Sequence, residues 1–271
     1  MKYKLVGYLM ILIALGVFVY PTISSMVQEY RAAKVIEAHT EQIQKEPDAY
    51  AEERENCKAY NRTLAIGSSP ITTKSETKDP EYENLLNAEE VMGYIEIPKI
   101  SQKLPIFHYS DEEELEKGIG HIHGSSLPVG GESTNCVLTG HRGLPGNMLF
   151  TRLDEVKEGD FLYLTVLGET LTYQVSKTEV ILPEETDKIK IERGRDLVTL
   201  VTCTPYGVNT HRLIITAERK EEEPEEYEPV STTKSVFAAV PLTRLYIAGG
   251  VILVILLIEG IAAGRRRRHE K

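Results

Sequence analysis

Eight short runs of alternating or wholly apolar residues follow one another through the middle of this chain, separated by turn-forming residues. Runs of this length and alternation predict β-strands. Many short strands with little helix between them favour a closed barrel, so we predict a mostly β fold of this kind. The predicted strands are Gly93 to Ile97, Lys103 to His108, Ile119 to His123, Asn135 to Thr139, Phe161 to Leu167, Thr170 to Leu182, Leu197 to Cys203 and Arg212 to Glu218. Short helices are predicted at Asp111 to Lys117 and Asn147 to Val156.

Three reactive side chains stand where predicted strands begin or end. Cys203 closes a β-branched run, and Arg212 opens the run that follows the intervening Pro/Gly turn. His141 lies in a glycine-flanked loop at the end of another apolar strand. Because neighbouring strands can hold such residues side by side, we predict that His141, Cys203 and Arg212 form an acyl-transfer site.

The chemistry of these three groups suits nucleophilic catalysis. A free thiol has a pKa of about 8.5 and must be activated before it attacks a carbonyl at neutral pH. An imidazole can share the thiol proton and later protonate a leaving amine, the role predicted for His141. A guanidinium stays charged and offers several donors to an oxyanion, the role predicted for Arg212. The alternative is that Cys203 is a buried, unreactive core residue.

Other histidines have less support as functional groups. Strand alternation places His211 and Arg212 on opposite faces, so His211 is not predicted to be the base. No local context supports a role for the remaining isolated histidines, which are interpreted as surface residues: His39, His108 and His269.

Metal sites are weakly indicated. His121 and His123 can share a strand face, but no nearby carboxylate or cysteine completes a metal site, so a packed strand is preferred. A calcium site in the acidic turn is the second alternative, and a solvated turn is preferred there: Glu184, Glu185 and Asp187. We predict no metal and no cofactor.

Two motifs in this region resemble those of a known family, the sortases, which are membrane-anchored cysteine transpeptidases of Gram-positive cell surfaces. The run from Thr199 to Cys203 reads T-L-V-T-C, the form of the family's T-L-x-T-C motif, and His141 ends a T-G-H motif. The segment after Cys203, TPYGVNTHRL, is most similar to class C, the pilus-polymerising members. The resemblance runs from about Met92 to Arg219, and both motifs in this order make it specific.

The resemblance implies an eight-stranded barrel with Cys203 as the nucleophile. It also implies cleavage of an LPxTG-like sorting signal between Thr and Gly, a thioester on the cysteine, and transfer to a lysine amine of a second pilin. The implied partners are pilin or surface-protein substrates that carry such signals. Attachment of proteins to cell-wall peptide and release of proteins by hydrolysis are alternatives within the same chemistry. A non-catalytic, membrane-tethered scaffold that only binds the signal is the alternative of another class.

The chain departs from class C sortases in the loop before the barrel. Class C members commonly carry an Asp-Pro-aromatic lid there, whose ring covers the cysteine and whose aspartate pairs with the arginine. Here Asp79-Pro80 is followed by Glu81, with Tyr82 one place late, and the segment from Ser69 to Ile71 is the other candidate lid. Neither matches the motif, so we expect a weak or absent plug, and we do not expect Asp79 to contact Arg212. The alternative is a mobile loop.

The two ends of the chain indicate a membrane protein. An uncharged, mostly apolar run extends from Leu5 to Tyr20, and a second runs from Leu245 to Gly264 with Glu259 near one edge. Each approaches the roughly 20 residues that a bilayer requires. Basic residues lie outside both runs, so the positive-inside rule predicts two spans with both termini cytoplasmic and the catalytic domain extracellular. A cleaved signal peptide is the alternative for the first run.

Composition completes the predicted organisation. The net charge is −10, and an acidic block from Glu218 to Glu228 argues against nucleic acid as a partner. Three cysteines are too few for a disulfide scaffold and fit a free thiol. The predicted domains are a membrane anchor (1–27), a helical stalk (28–66) that breaks near Pro47, a lid-like loop with a short helix (67–87), the catalytic barrel (88–220), an acidic linker (221–244), a second membrane helix (245–264) and a basic cytoplasmic tail (265–271).

Overall fold

The computed structural model describes residues 2–45, 47–67, 79–88, 90–143, 148–221, 229–230 and 243–269 of the 271-residue chain. Its strands are β1 (Gly93–Ile97), β2 (Gln102–His108), β3 (Ile119–His121), β4 (Thr134–Thr139), β5 (Phe161–Val166), β6 (Glu169–Ile181), β7 (Asp196–Thr204) and β8 (His211–Lys220). Its helices are α1 (Lys2–Lys45), α2 (Pro47–Gly67), α3 (Pro80–Asn84), α4 (Glu112–Lys117) and α5 (Thr243–His269). Single 3-10 turns occur at Pro98–Ile100, Leu153–Glu155 and Thr186–Lys188.

The strands close into a barrel in the order β1-β2-β3-β4-β7-β8-β6-β5, which confirms the predicted fold class. Neighbouring strands are antiparallel except for β2 with β3 and β4 with β7, which are parallel. The last paired residue of β4, Thr139, lies opposite Val201 of β7. The last residue of β7, Thr204, lies opposite the first residue of β8, His211. The ends of β4 and β7 and the start of β8 therefore meet at one edge of the barrel.

Each predicted strand matches an observed one, but the predicted helix from Asn147 to Val156 is wrong. Asn147 lies outside the described residues, and the remainder forms successive tight turns that include the 3-10 turn at Leu153–Glu155. The N–H of Phe150 donates to the carbonyl of His141 at 3.2 Å, so this segment is bonded to the loop after β4 and does not begin an α-helical ladder. Leu149, Phe150 and Leu153 are all buried in the core, and turns bonded from residue i to i+3 replace the helix.

Alternate residues of the strands around this edge enter two different apolar clusters. Leu138, Leu200 and Ile215 belong to the main core. Their neighbours Val137, Val201 and Ile214 belong to a smaller cluster on the opposite face of the sheet, which Ile122, Ile181 and Ile189 complete. Strand alternation therefore builds the barrel core and a second apolar floor from the same strands.

Helix α2 packs against the barrel. Its Cys57 is fully buried, and the side-chain amide of Asn61 donates to the carbonyl of Leu127 at 3.1 Å and accepts from the same residue's N–H at 2.7 Å. Arg54 Nη2 donates to the carbonyl of Leu167 at 2.8 Å. The helix begins at Pro47, a position where the missing proline N–H costs nothing.

The second half of α1 also buries one face. Ala32, Ile36, His39 and Ile43 are buried at spacings of three or four residues, which places them on one side of the helix. His39 Nδ1 hydrogen-bonds with the carbonyl of Ala88 at 2.9 Å. His39 is buried, so its interpretation as a surface residue is wrong. The sequence did not show this, because its partner Ala88 lies far along the chain.

Among the described residues, α1 is the one helix whose length and composition allow it to cross a bilayer. The described apolar part of α5, Thr243–Ile255, is shorter. The two helices meet where the Arg244 guanidinium lies 5.9 Å from the centre of the Phe18 ring. The N-terminal apolar helix supports anchoring in a membrane.

Candidate active site

The strand register brings three predicted site residues together. Cys203 of β7 lies directly opposite Arg212 of β8. Thr139 lies opposite Val201 in the parallel β4/β7 pair. Two residues further along each strand direction are His141 and Cys203, which the register therefore brings to the same edge. All three residues line one depression of about 430 Å³.

An apolar floor extends from these residues along the depression. Ile122, Ile181, Ile189 and Val201 line it, and all four belong to the smaller apolar cluster on the outer face of the sheet. Polar residues that also line it include Ser110, Glu184 and Thr186. The depression therefore combines an apolar surface with a thiol, an imidazole and a guanidinium.

Cys203 is the accessible thiol of the chain. Cys57 and Cys136 are buried, whereas Cys203 is partly exposed, and none of the three forms a disulfide. Burial raises the pKa of the Cys57 thiol to about 12 and that of Cys136 well above its ordinary value. Both buried thiols are therefore protonated and unreactive at neutral pH.

The imidazole of His141 faces a carboxylate that the sequence did not suggest. Its Nε2 lies 3.5 Å from Oε1 of Glu112, the first residue of α4. Glu112 is 74% exposed and the histidine 28% exposed, so the pair sits at the rim of the depression. The acidic start of α4 was visible in the sequence, but no spacing rule links it to a loop that follows another strand.

Arg212 is held by backbone carbonyls. Its Nη1 donates to the carbonyls of Asn209 at 3.3 Å and His211 at 3.1 Å. The β7–β8 turn is closed by the N–H groups of Val208 and Asn209, which donate to the carbonyl of Pro205. His211 pairs with Thr204 instead of Cys203, and its ring hydrogen-bonds with the Thr210 hydroxyl.

The candidate lid residue Asp79 lies elsewhere. Its carboxylate accepts from the N–H groups of Glu81 and Tyr82 at the start of α3 and lies 3.3 Å from Nε2 of His123. Within the described chain, the polar contacts of Arg212 are to carbonyls, as given above. The other candidate lid, Ser69 to Ile71, lies outside the described residues.

Tyr82, in α3, packs against three histidines. Its buried ring contacts His108, Tyr109, His121 and His123 at centroid distances of 4.8 to 5.6 Å. His108 Nε2 also hydrogen-bonds with the carbonyl of Leu85 at 2.7 Å, so the surface position predicted for His108 is wrong.

His121 is enclosed by hydrogen bonds. Its Nε2 donates to the carbonyl of Ser126 at 2.9 Å, and its Nδ1 accepts from the Tyr82 hydroxyl at 2.7 Å. Burial lowers the pKa of His121 to about 3, so the ring is neutral at physiological pH. Both ring nitrogens are occupied, and among the described residues no group of three or more His, Cys, Asp or Glu could hold a metal ion.

Comparison with known proteins gives consistent matches. A family model described as "Sortase domain" matches residues 95–220. Sortase D of Bacillus subtilis (strain 168) is 29% identical over 180 residues, which are 66% of this chain and 82% of that protein.

Solved structures match over most of their length. Sortase C-1 from Actinomyces oris is 46% identical with a TM-score of 0.61, covering 64% of this chain and 99% of that chain. Streptococcus pneumoniae Sortase C is 39% identical with a TM-score of 0.65, covering 70% of this chain and 97% of that chain. The structure of the pneumococcal enzyme has been described as giving insight into its catalysis and its pilin substrate specificity.

Proposed function

This chain belongs to the sortase family and is a cysteine transpeptidase, and from this premise we propose that it is a class C enzyme that polymerises pilins. It cleaves an LPxTG-like sorting signal between Thr and Gly and joins the new carboxyl end to a lysine amine of a second pilin. The observation that carries the proposal is the meeting of His141, Cys203 and Arg212 in one depression with an apolar floor.

In the proposed reaction His141 first accepts the proton of the Cys203 thiol, and Arg212 donates to the oxyanion that forms in each half. The Cys203 thiolate attacks the threonine carbonyl, and Arg212 donates to the oxyanion that forms. His141 gives a proton to the leaving glycine amine, and a thioester remains on the cysteine. The acceptor lysine amine then attacks the thioester, His141 takes a proton from it, and the thiolate leaves as the isopeptide bond forms.

The shape of the site supports a peptide substrate. An extended peptide whose scissile carbonyl lies at Cys203 can place apolar side chains such as Leu and Pro on the floor formed by Ile181, Ile189 and Val201. The solved class C relatives, at 39–46% identity, support the pilin as substrate.

We also propose the membrane arrangement that the sequence predicts. Helix α1 anchors the chain, the barrel lies outside the cell, and α5 returns the C-terminus to the cytoplasm. Tethering both pilin and enzyme to one surface raises their local concentration, which supplies part of the rate.

Mass spectrometry of the full-length protein in detergent tests the proposal. After incubation with an LPxTG peptide, we expect an acyl adduct on Cys203 that is absent from Cys203→Ala. Addition of pilin should resolve the adduct into a peptide–lysine isopeptide. Resolution only by a cell-wall peptide would identify a wall-anchoring sortase instead, and resolution only by water would identify a hydrolase. A folded protein that forms no adduct with such peptides would contradict the proposal.

A further inference from the structure

The residues on either side of His141 are bonded to the residues on either side of Cys203. The carbonyl of Gly140 accepts from the Thr202 hydroxyl at 2.7 Å. On the other side, Arg142 Nη1 donates to the Thr204 hydroxyl at 2.9 Å. The loop that carries the imidazole is thus joined to the strand that carries the thiol both before and after the reactive residues.

Arg142 is the more constrained of these links. Its side chain is only 8% exposed, and Nη2 lies 2.7 Å from Oδ2 of Asp154. Its Nε donates to the carbonyl of Thr151 at 3.3 Å. Three nitrogens of one planar guanidinium therefore bind three separate groups, which fixes the plane of the guanidinium.

This link begins where the regular sheet ends. The last backbone hydrogen bond between these two strands, β4 and β7, runs from the N–H of Gly140, just after β4, to the carbonyl of Val201 at 3.3 Å. His141 lies beyond it and has no ladder partner to fix its distance from Cys203. The carbonyl of His141 accepts from the N–H of Phe150 at 3.2 Å, which belongs to a different segment. The connections to β7 beyond the ladder are the Thr202–Gly140 and Arg142–Thr204 bonds, and the second of these is the one that follows His141.

The link lies away from the substrate. Strand alternation points the Thr204 side chain to the face opposite Cys203, and neither Arg142 nor Thr204 lines the depression, whereas Thr202 does. Any effect of Arg142 on the reaction therefore passes through the relative position of its neighbour His141 and of Cys203, the neighbour of Thr204.

We propose that Arg142, through Thr204 and Asp154, is a positioning residue that holds His141 within proton-transfer reach of Cys203. This inference rests on the proposed roles of His141 and Cys203. Proton transfer needs hydrogen-bond distances, and a displacement of about 1 Å can cost 10²-fold in rate. Loss of the link therefore slows acylation without weakening peptide binding.

The test compares Arg142→Lys and Thr204→Val with the matched control Arg152→Lys in the full-length protein. Lysine keeps the charge at position 142 but cannot bind three groups in one plane, and valine removes only the hydroxyl of Thr204. Arg152 belongs to the same loop and its guanidinium also binds several groups, but these are Glu155 and the carbonyl of Ile100, which lie away from His141 and Cys203. The measurements are kcat and KM for LPxTG peptide cleavage, the melting temperature, and the pH profile of Cys203 alkylation by iodoacetamide.

For Arg142→Lys we expect kcat to fall about 10- to 100-fold while KM stays within about twofold. For Thr204→Val we expect a smaller fall in kcat. The double variant should have a kcat no lower than that of Arg142→Lys, because both substitutions remove the same Arg142–Thr204 hydrogen bond. The alkylation profile should move toward that of His141→Ala, which a purely structural defect would not produce.

Unchanged kcat in folded Arg142→Lys and Thr204→Val would overturn the inference, as would an equal loss in Arg152→Lys. If Arg142→Lys does not fold, Thr204→Val alone decides by the same criteria. The two proposals fail differently: activity retained in Cys203→Ala refutes the proposed function, whereas normal activity in the two linkage variants, with Cys203→Ala inactive, refutes only the role of Arg142.

Discussion

Burial fixes the charge state of His121, and this has a consequence for stability. The folded imidazole has a pKa of about 3, whereas an unfolded histidine has a pKa of about 6.5. Below pH 6.5 the unfolded chain binds a proton that the folded chain does not, so acid favours unfolding. The contribution is complete above pH 6.5 and is lost progressively as the pH falls toward 3.

We therefore predict that the free energy of unfolding falls by about 2–3 kcal/mol between pH 7 and pH 4.5 through this residue. Urea unfolding of the full-length protein, followed by circular dichroism at both pH values, measures it. His121→Gln should be less stable at pH 7 but lose less stability on acidification. Equal losses in both proteins would show that other groups carry the acid sensitivity.

At the scale of single residues, the sequence identified candidate site residues where a reactive side chain stands at the end of a predicted strand. His141, Cys203 and Arg212 each stand at a strand end beside a turn, and their roles remain predictions. Glu112, Arg142 and His39 were missed because their partners come from distant segments. Periodicity reports which side of an element a residue occupies, but it does not report what lies opposite.

Among the elements, α2 depends on one buried amide. Asn61 satisfies both the N–H and the carbonyl of Leu127, and the residue is almost fully buried. Removing it leaves two backbone groups without partners in the interior, which costs about 2–4 kcal/mol.

We predict that Asn61→Ala lowers the free energy of unfolding by this amount, measured by urea unfolding. Lys58→Ala is the control on the same helix, since its ion pair with Glu55 is exposed and should change stability by less than about 0.5 kcal/mol. An Asn61→Ala protein as stable as the control would mean that α2 is not part of the cooperative unit.

Strands were easier to predict than helices in this chain. Apolar or alternating runs mark β1 through β8 because the strands are buried on one face or, as in β4 and β7, on both, and this pattern is local. The segment around Phe150 is apolar enough to suggest a helix, yet tight turns direct its side chains into the core. The faces of α1 and α2 that contact the barrel carry residues such as His39 and Asn61, whose polarity concealed their burial.

At the scale of the whole molecule, the proposed two-span topology can be tested directly. We predict that protease added to protoplasts digests the barrel but leaves epitope tags at both ends of the chain protected. Permeabilised protoplasts, in which both tags should be lost, are the control. Digestion of the C-terminal tag in intact protoplasts would instead place that end outside, with a single span at α1.

Helix α1 is continuous over 44 residues, from Lys2 to Lys45. At about 1.5 Å per residue it is roughly 66 Å long, about twice the 30 Å of a bilayer core. The second half of the helix packs on the barrel core through Ile43. In the proposed membrane arrangement, Cys203 would therefore lie at a nearly constant height above the lipid. Enzyme and membrane-bound substrate would then meet mainly by lateral diffusion in the plane of the membrane and by rotation about its normal. Under this proposal, we expect sorting signals held at another height above the membrane to be processed more slowly, so the length of α1 would contribute to substrate selection.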